Sequence, residues 1–276
     1  MRVLYLLADA LYVVLYHIVS YRKKVVYYNL KLSFPEASEK EITEIQKDFY
    51  SHLADLIVES VKSFSISKKE ILSRIDFPTD FVFKDFGEQR SVLLLLGHCG
   101  NWEWAGLGSS AITPFKMHIV YHQLSNHKFD ALMHATRSRF GAELSKMEET
   151  LRSLVRLKNI PTATCLVADQ NPTPETAYWI DFLHRKTAFF KGPFKLAQKF
   201  DLPCYYVSNV KVSRGHYQLK PILISSKTHK MTEQELAKVY VQLLEKDIKE
   251  NPAHWLWSHR RWKHKYTPSL YESNVL

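Results

Sequence analysis

Cysteine is nearly missing from this sequence. Three residues, Cys99, Cys165 and Cys204, stand far apart with no C-x-x-C pair among 276 residues. An odd, scattered set argues against a disulfide framework and against a cysteine-built zinc site, and it suits a reducing compartment. Glycine (8) and proline (11) are also scarce, which excludes collagen-like and linker-like chains. No repeat or low-complexity stretch divides the chain, so a single large domain is expected. Acidic side chains are outnumbered, 28 against 38 basic ones, for a formal charge of +10. That balance favours an anionic partner: nucleic acid, an anionic membrane surface or a phosphorylated substrate.

Only one long apolar run occurs, and it is N-terminal. Residues 3–20 hold only Asp9, His17 and Ser20 as clearly polar members, and YRKK follows at once. Eighteen residues is near the lower limit for a membrane span, and the basic cluster would keep its side cytoplasmic. With no small-residue cleavage site after it, a removable signal is not expected. Residues 1–24 therefore read as a membrane-anchoring or interfacial helix and residues 25–276 as the body. Burial of this helix within the protein is the alternative, given Asp9 and the tyrosines at 5, 12 and 16.

Ser38 with Glu41 forms a capping box, and Ile42, Ile45, Phe49, Leu53, Leu56 and Ile57 recur at helical spacing to about residue 62. Beyond it, β-rich apolar runs at 92–96, 117–121, 163–168, 178–182, 205–208 and 217–224 are interleaved with helix-like stretches at 102–111, 128–140, 149–158, 193–200 and 232–250. This alternation implies an α/β domain with a mostly parallel or mixed sheet, flanked by helices on both faces. In such sheets ligands bind beyond the carboxyl ends of the strands. His98 and Asp169 both fall at such ends.

LLLLGHCGNWEW (93–104) takes His98 out of a buried strand and Glu103 into the first turn of the next helix. A histidine base, an orienting carboxylate and free N–H groups at a helix start would then meet. With 13 histidines and 28 acids, chance alone supplies roughly one such spacing, so the context carries the reading. A strand-capping histidine beside an ordinary helix-start acid is the bland alternative. Cys99 invites a thiol nucleophile, yet adjacent residues on an extended strand point to opposite faces. His118, His122 and His127 invite a metal, yet the first two would stand roughly 13 Å apart within a strand.

GHCGNWEW resembles the H-x(4)-[DE] motif of the lysophospholipid acyltransferase superfamily, and in particular of the bacterial lipid A lauroyl/myristoyl acyltransferases and their phosphatidylinositol mannoside relatives. The likeness extends over nearly the whole chain. YRKKVVYYNLKLSFPE resembles the segment after that family's membrane anchor, RSRFGAEL its central arginine element, ADQNP and FFKGPFKLA its downstream blocks, and HWLWSHRRWK its C-terminal signature. Family members carry more hydrophobic sequence ahead of the point where this chain begins.

The resemblance implies a glycerolipid acyltransferase-like fold and acyl transfer from an acyl carrier protein thioester, or acyl-CoA, to a hydroxyl of a lipid A precursor. An aminolipid or a phosphoinositol glycolipid is the alternative acceptor. It implies His98 as general base with Glu103 as its partner, no covalent acyl-enzyme, no cofactor, no metal, and a place on the cytoplasmic face of the inner membrane against anionic lipid. Arg137 or Arg139 is expected to bind phosphate or the oxyanion, a solvated helix end being the alternative. Asp169 and Gln170 are expected at the substrate, either binding its hydroxyl or fixing a loop. Phe189 and Phe190 read as acyl-groove lining or plain core. A rival of another class is a basic, non-catalytic nucleic-acid or membrane binder, because tryptophans and basic residues interleave in HWLWSHRRWKHK. The apolar N-terminus favours membrane, with no nucleic acid as partner.

Overall fold

The computed structural model describes residues 1–78, 80, 90–271 and 275–276. Its strands are β1 (Ile75–Asp76), β2 (Val92–Leu96), β3 (Lys116–Tyr121), β4 (Glu143–Lys146), β5 (Thr162–Val167), β6 (Ala177–Phe182), β7 (Arg185–Phe190), β8 (Cys204–Ser213) and β9 (His216–Ser225). The helices are α1 (Arg2–Val13), α2 (Lys23–Ser33), α3 (Glu39–Ser63), α4 (Lys68–Leu72), α5 (Trp102–Ile112), α6 (His127–Arg137), α7 (Thr150–Arg156), α8 (Gly192–Lys199), α9 (Glu233–Glu250) and α10 (Pro268–Tyr271).

Seven strands form one mixed sheet in the order β1-β9-β8-β2-β5-β3-β4, parallel throughout except for β8 against β9. Every residue of β2 is buried, as a central parallel strand covered on both faces must be. Alternation along it divides the core. Leu93 and Leu95 join Phe49, Phe182, Phe189, Tyr240, Leu244 and Trp257 on one face. Val92, Leu94 and Leu96 join Ile71, Trp104, Leu107, Met117 and Tyr205 on the other. The α/β architecture expected from the alternating pattern is present.

The capping box at Ser38 and Glu41 starts α3, with Ser38 N donating to Glu41 Oε2 at 2.7 Å and Glu41 N donating to Ser38 Oγ at 3.3 Å. Other expectations need correction. The apolar run at 178–182 is not a strand of the main sheet. It pairs with β7, absent from the expected elements, in a separate hairpin closed by Leu183 and His184, both at positive φ as a two-residue primed turn requires. Strand β4 also escaped the pattern, because ELSK is short and only its serine is buried.

The N-terminal run does not form one continuous span. Helix α1 passes into a π-helical turn over Val14–Ile18 and then bends by 86° into α2. Among the described residues no single helix is long and apolar enough to cross a membrane, although the bent pair meets the length and composition for one. One side of the run packs inward, Ala8 against Ala54 and Val58, and Tyr16 against Tyr50. The other side exposes Val3 (71%), Leu6 (68%) and Ile18 (71%).

A buried carboxylate ties these layers together. Glu59 of α3 is fully buried and accepts hydrogen bonds from Tyr5 (2.9 Å), Asn101 (2.7 Å) and Tyr217 (2.7 Å), so one side chain joins α1, the start of α5 and β9. Removing it strands the buried donors of Asn101 and Tyr217 away from water and releases the half-buried Tyr5. Glu59→Ala is expected to destabilise the fold by about 3 kcal/mol, read from denaturant unfolding in detergent. A loss no larger than an exposed Glu→Ala change gives would show that the three donors find other partners.

Candidate functional site

Strand register builds the site. In the parallel pair β2–β5, Leu96 lies opposite Val167. His98 and Asp169 each stand two residues beyond those ends, so the pairing sets them side by side. Ala168 N donates to Leu96 O at 3.1 Å, carrying the pairing one step past β5. Asp169, 1% exposed, receives His98 Nδ1 on Oδ1 at 2.5 Å and the His98 backbone N–H on Oδ2 at 2.8 Å. Trp255 Nε1 donates to the same Oδ2 at 2.7 Å. Burial would raise this carboxyl's pKa, but its pairing with His98 and the donated hydrogen bonds outweigh it and hold Asp169 at about 2.

The turn carrying His98 needs its glycines. Gly100 has φ +56° with the backbone oxygen of Asn209 only 2.7 Å from where its Cβ would be, and a Cβ at Gly97 would press on the end of the Leu244 side chain. From beneath, Asn209 Nδ2 donates to Cys99 O, Gly100 N to His254 O and Leu256 N to His98 O. Asn101 then caps α5, accepting from Trp104 N at 2.9 Å. Cys99 points into the core and burial pushes its thiol far up, so the thiol nucleophile reading fails on position.

Above His98 lies a cavity of about 770 Å³ at the carboxyl ends of β2, β3 and β5, within the usual size of ligand sites. Its walls mix Leu96, Ile119, Leu166, Val167 and Phe190 with His98, Gln170, Glu103 and Arg137. Gln170 Nε2 stands 3.1 Å from His98 Nε2. Facing a carboxylate, Nδ1 carries the proton, which leaves Nε2 as the acceptor turned toward the cavity.

The carboxylate on the histidine ring is therefore Asp169 and not Glu103. Glu103 takes a two-pronged grip from Arg137, Nε to Oε2 at 2.9 Å and Nη2 to Oε1 at 2.6 Å. The five-residue spacing brought Glu103 to the cavity wall, but the first turn of α5 aims it at α6. Arg139 turns away altogether: its Nη1 donates to Ser63 O at 2.7 Å and it does not line the cavity. Phe190 lines the cavity, whereas Phe189 is core. His118 lies in the interior between Thr164 Oγ1 and Ser145 Oγ, and His122 stands exposed. Trp255 and Trp257 are buried, so the aromatic, basic tail cannot offer them to bases as the nucleic-acid reading needs. Trp255 was missed as a site residue, because nothing in its local pattern links it to position 169.

A family comparison matches residues 1–264 to the bacterial lipid A biosynthesis acyltransferases. With nearly all of its length matched, the chain belongs to that family, whose activity is acyl transfer in lipid A biosynthesis. A search of curated proteins gives no match.

The Asp169 carboxyl predicts an acid-sensitive contribution to stability. Its folded pKa of about 2 lies below the ordinary value of about 3.9, so its stabilisation is present above that value and is lost as pH falls toward 2. Asp169→Asn is expected to be clearly less stable than wild type at pH 6, the gap narrowing steadily below pH 4. Urea midpoints across that range check it, and a pH-independent gap would contradict it.

Proposed function

We propose that the protein is a secondary acyltransferase, moving a fatty acyl chain from acyl carrier protein, or from acyl-CoA, to a hydroxyl of a lipid A precursor. The observation that carries this reading is the imidazole of His98, backed by buried Asp169 and turned to a part-apolar cavity. A hydroxyl attacks a thioester poorly unless a base takes its proton as the new bond forms. His98 Nε2 accepts that proton while the hydroxyl oxygen bonds the thioester carbon, and Asp169 stabilises the imidazolium through Nδ1–H. Collapse of the tetrahedral intermediate breaks the carbon–sulfur bond. The departing thiolate then recovers the proton from Nε2. No acyl-enzyme is needed, and burial holds Cys165 beside the cavity at about 12, far from a thiolate.

In this scheme Glu103 acts through Arg137 by fixing the guanidinium at the cavity wall, where its remaining N–H edge suits a carbonyl oxygen or an oxyanion. Gln170 Nε2 donates to the His98 Nε2 lone pair, and in this scheme it gives up that bond as the acceptor hydroxyl takes its place. Phe190 and its apolar neighbours suit an acyl chain.

Expected turnover follows from these roles. His98→Ala and Asp169→Asn should each lower acyl transfer by roughly 10²–10⁴, and the double variant should be little worse than the weaker single one. Glu103→Gln should cost less, on the order of 10-fold, because it loosens a positioning pair and leaves the base intact. Transfer of radiolabelled acyl chains by detergent-purified protein measures all four. Near-normal turnover in His98→Ala, or an acylated Cys99, would falsify the scheme. Lipid mass spectrometry of a deletion strain identifies the acceptor, and loss of an acyl chain from an aminolipid or phosphoinositol glycolipid instead of lipid A would reassign it.

For location, the reading is the cytoplasmic face of the inner membrane, with α1 and α2 lying in the interface. The exposed Val3, Leu6, Leu7, Ile18 and Val19 beside exposed Arg2, Arg22 and Lys24 support it, as apolar residues flanked by cations suit an anionic bilayer surface. Replacing Val3, Leu6, Leu7 and Ile18 with serine spares the buried side of α1, so the fold should persist while binding to anionic vesicles falls by at least 10-fold. Flotation with unchanged recovery would place the membrane contact elsewhere.

A further inference from the structure

Charge in the cavity is unevenly matched. Arg137, one of the two arginines expected to bind a phosphate or the oxyanion, is paired with Glu103, and Asp169 is committed beneath His98. Three further cations line the same cavity, Arg22, Arg260 and Lys263. All three are exposed, and among the described residues none is in an ion pair.

Their backbone is held while their charges are left open. Buried Arg261 reaches inward to Asn171 Oδ1 (2.9 Å) and Ala188 O (2.5 Å), and Asn171 Nδ2 returns a bond to Arg260 O at 2.9 Å. Asn29 Nδ2 holds the carbonyls of Trp257 and His259, at 3.0 and 3.2 Å. Arg22, in a left-handed backbone conformation, spends Nη1 on Ser258 O at 2.9 Å and keeps its other amino group. His259 also lines the cavity, and burial together with Arg261 holds it near 4, so at neutral pH it adds hydrogen-bonding capacity without charge. Cations on a held backbone beside a part-apolar cavity, paired with no carboxylate among the described residues, suit an anion that arrives with the substrate.

We infer that Arg22, Arg260 and Lys263 form a phosphate-binding subsite at the rim of the His98 cavity, which holds a phosphate group of a substrate while its reacting end lies at Nε2. This rests on the acyl-transfer reading for the choice of substrates. Two substrates carry the right chemistry, a phosphorylated glycolipid acceptor and the phosphopantetheine arm of the donor.

Binding by the full chain in detergent distinguishes the two sources. The probes are a phosphorylated lipid A precursor with its dephosphorylated form, and an acyl-phosphopantetheine with the matching acyl-pantetheine. Wild type should bind the phosphorylated member of one pair at least 10-fold more tightly, the scale of a charge-assisted contact, and that pair names the source. Arg260→Gln with Lys263→Gln should bind both members alike. Lys263→Gln alone, at an exposed site, should narrow the ratio with no change in thermal unfolding midpoint. A wild type indifferent to phosphate in both pairs, or variants that keep its ratio, overturns the subsite. Because the readout is binding, discrimination without acyl transfer would sink the activity reading alone, and transfer without discrimination would sink the subsite alone.

Discussion

In-register pairing of β2 with β5 is the constraint on which the site depends. Two adjacent parallel strands end level, and each continues by two residues to a group that is of little chemical use alone. Side by side, His98 and Asp169 become an oriented imidazole. Asp169 can stay ionised while buried only because three donors converge on it, two from His98 and one from Trp255. A buried carboxylate without such donors would take up a proton and cease to orient the ring. The apolar β2 and β5, the glycine turn and the C-terminal tryptophan are thus parts of one arrangement.

The same economy of buried polar groups fixes the turn from below. Asn209 and the carbonyl of His254 take up the backbone groups that leaving the sheet would otherwise orphan, and Glu59 seats Asn101 under the first turn of α5. Each of these hydrogen bonds offsets the loss of water by a group inside a packed core, although Asn209 Oδ1 itself has no partner among the described residues. The histidine is therefore carried by a rigid turn, even though it lies outside any strand or helix.

Much of this was legible in the sequence, for identifiable reasons. A five-residue fully apolar run announces a central parallel strand, and a serine three residues before a glutamate announces α3. What was not legible is which strands are neighbours. Asp169 was recognised as a strand-end residue, but its place against His98 follows from β2 lying beside β5, a pairing that strand composition does not encode. Glu103 looked like the partner because it is near in sequence. A first-turn helical residue points where the helix sends it, and α5 sends Glu103 toward α6 and Arg137. Short or half-exposed strands such as β4 and β7 carry too little apolar pattern to be seen.

The reassignment of Glu103 changes the electrostatics of the whole cavity. Had it faced His98, Arg137 would be an uncompensated cation in the wall. Paired in two-pronged fashion, the two charges cancel and become a rigid part of that wall. Positive potential then shifts outward to the mouth, where Arg22, Arg260 and Lys263 stand. Arg22 belongs at once to that mouth and to the bend that ends the exposed apolar run of α1. Tyr50 and Gln46 of α3 pin this bend through the carbonyls of Tyr21 (2.5 Å) and Lys23 (3.0 Å). In the proposed interfacial placement of α1 and α2, the apolar surface at the bend and the cationic rim beside it would set the cavity opening at the level where a bilayer changes from acyl chains to charged headgroups. A lipid acceptor would reach His98 from there without leaving the membrane surface.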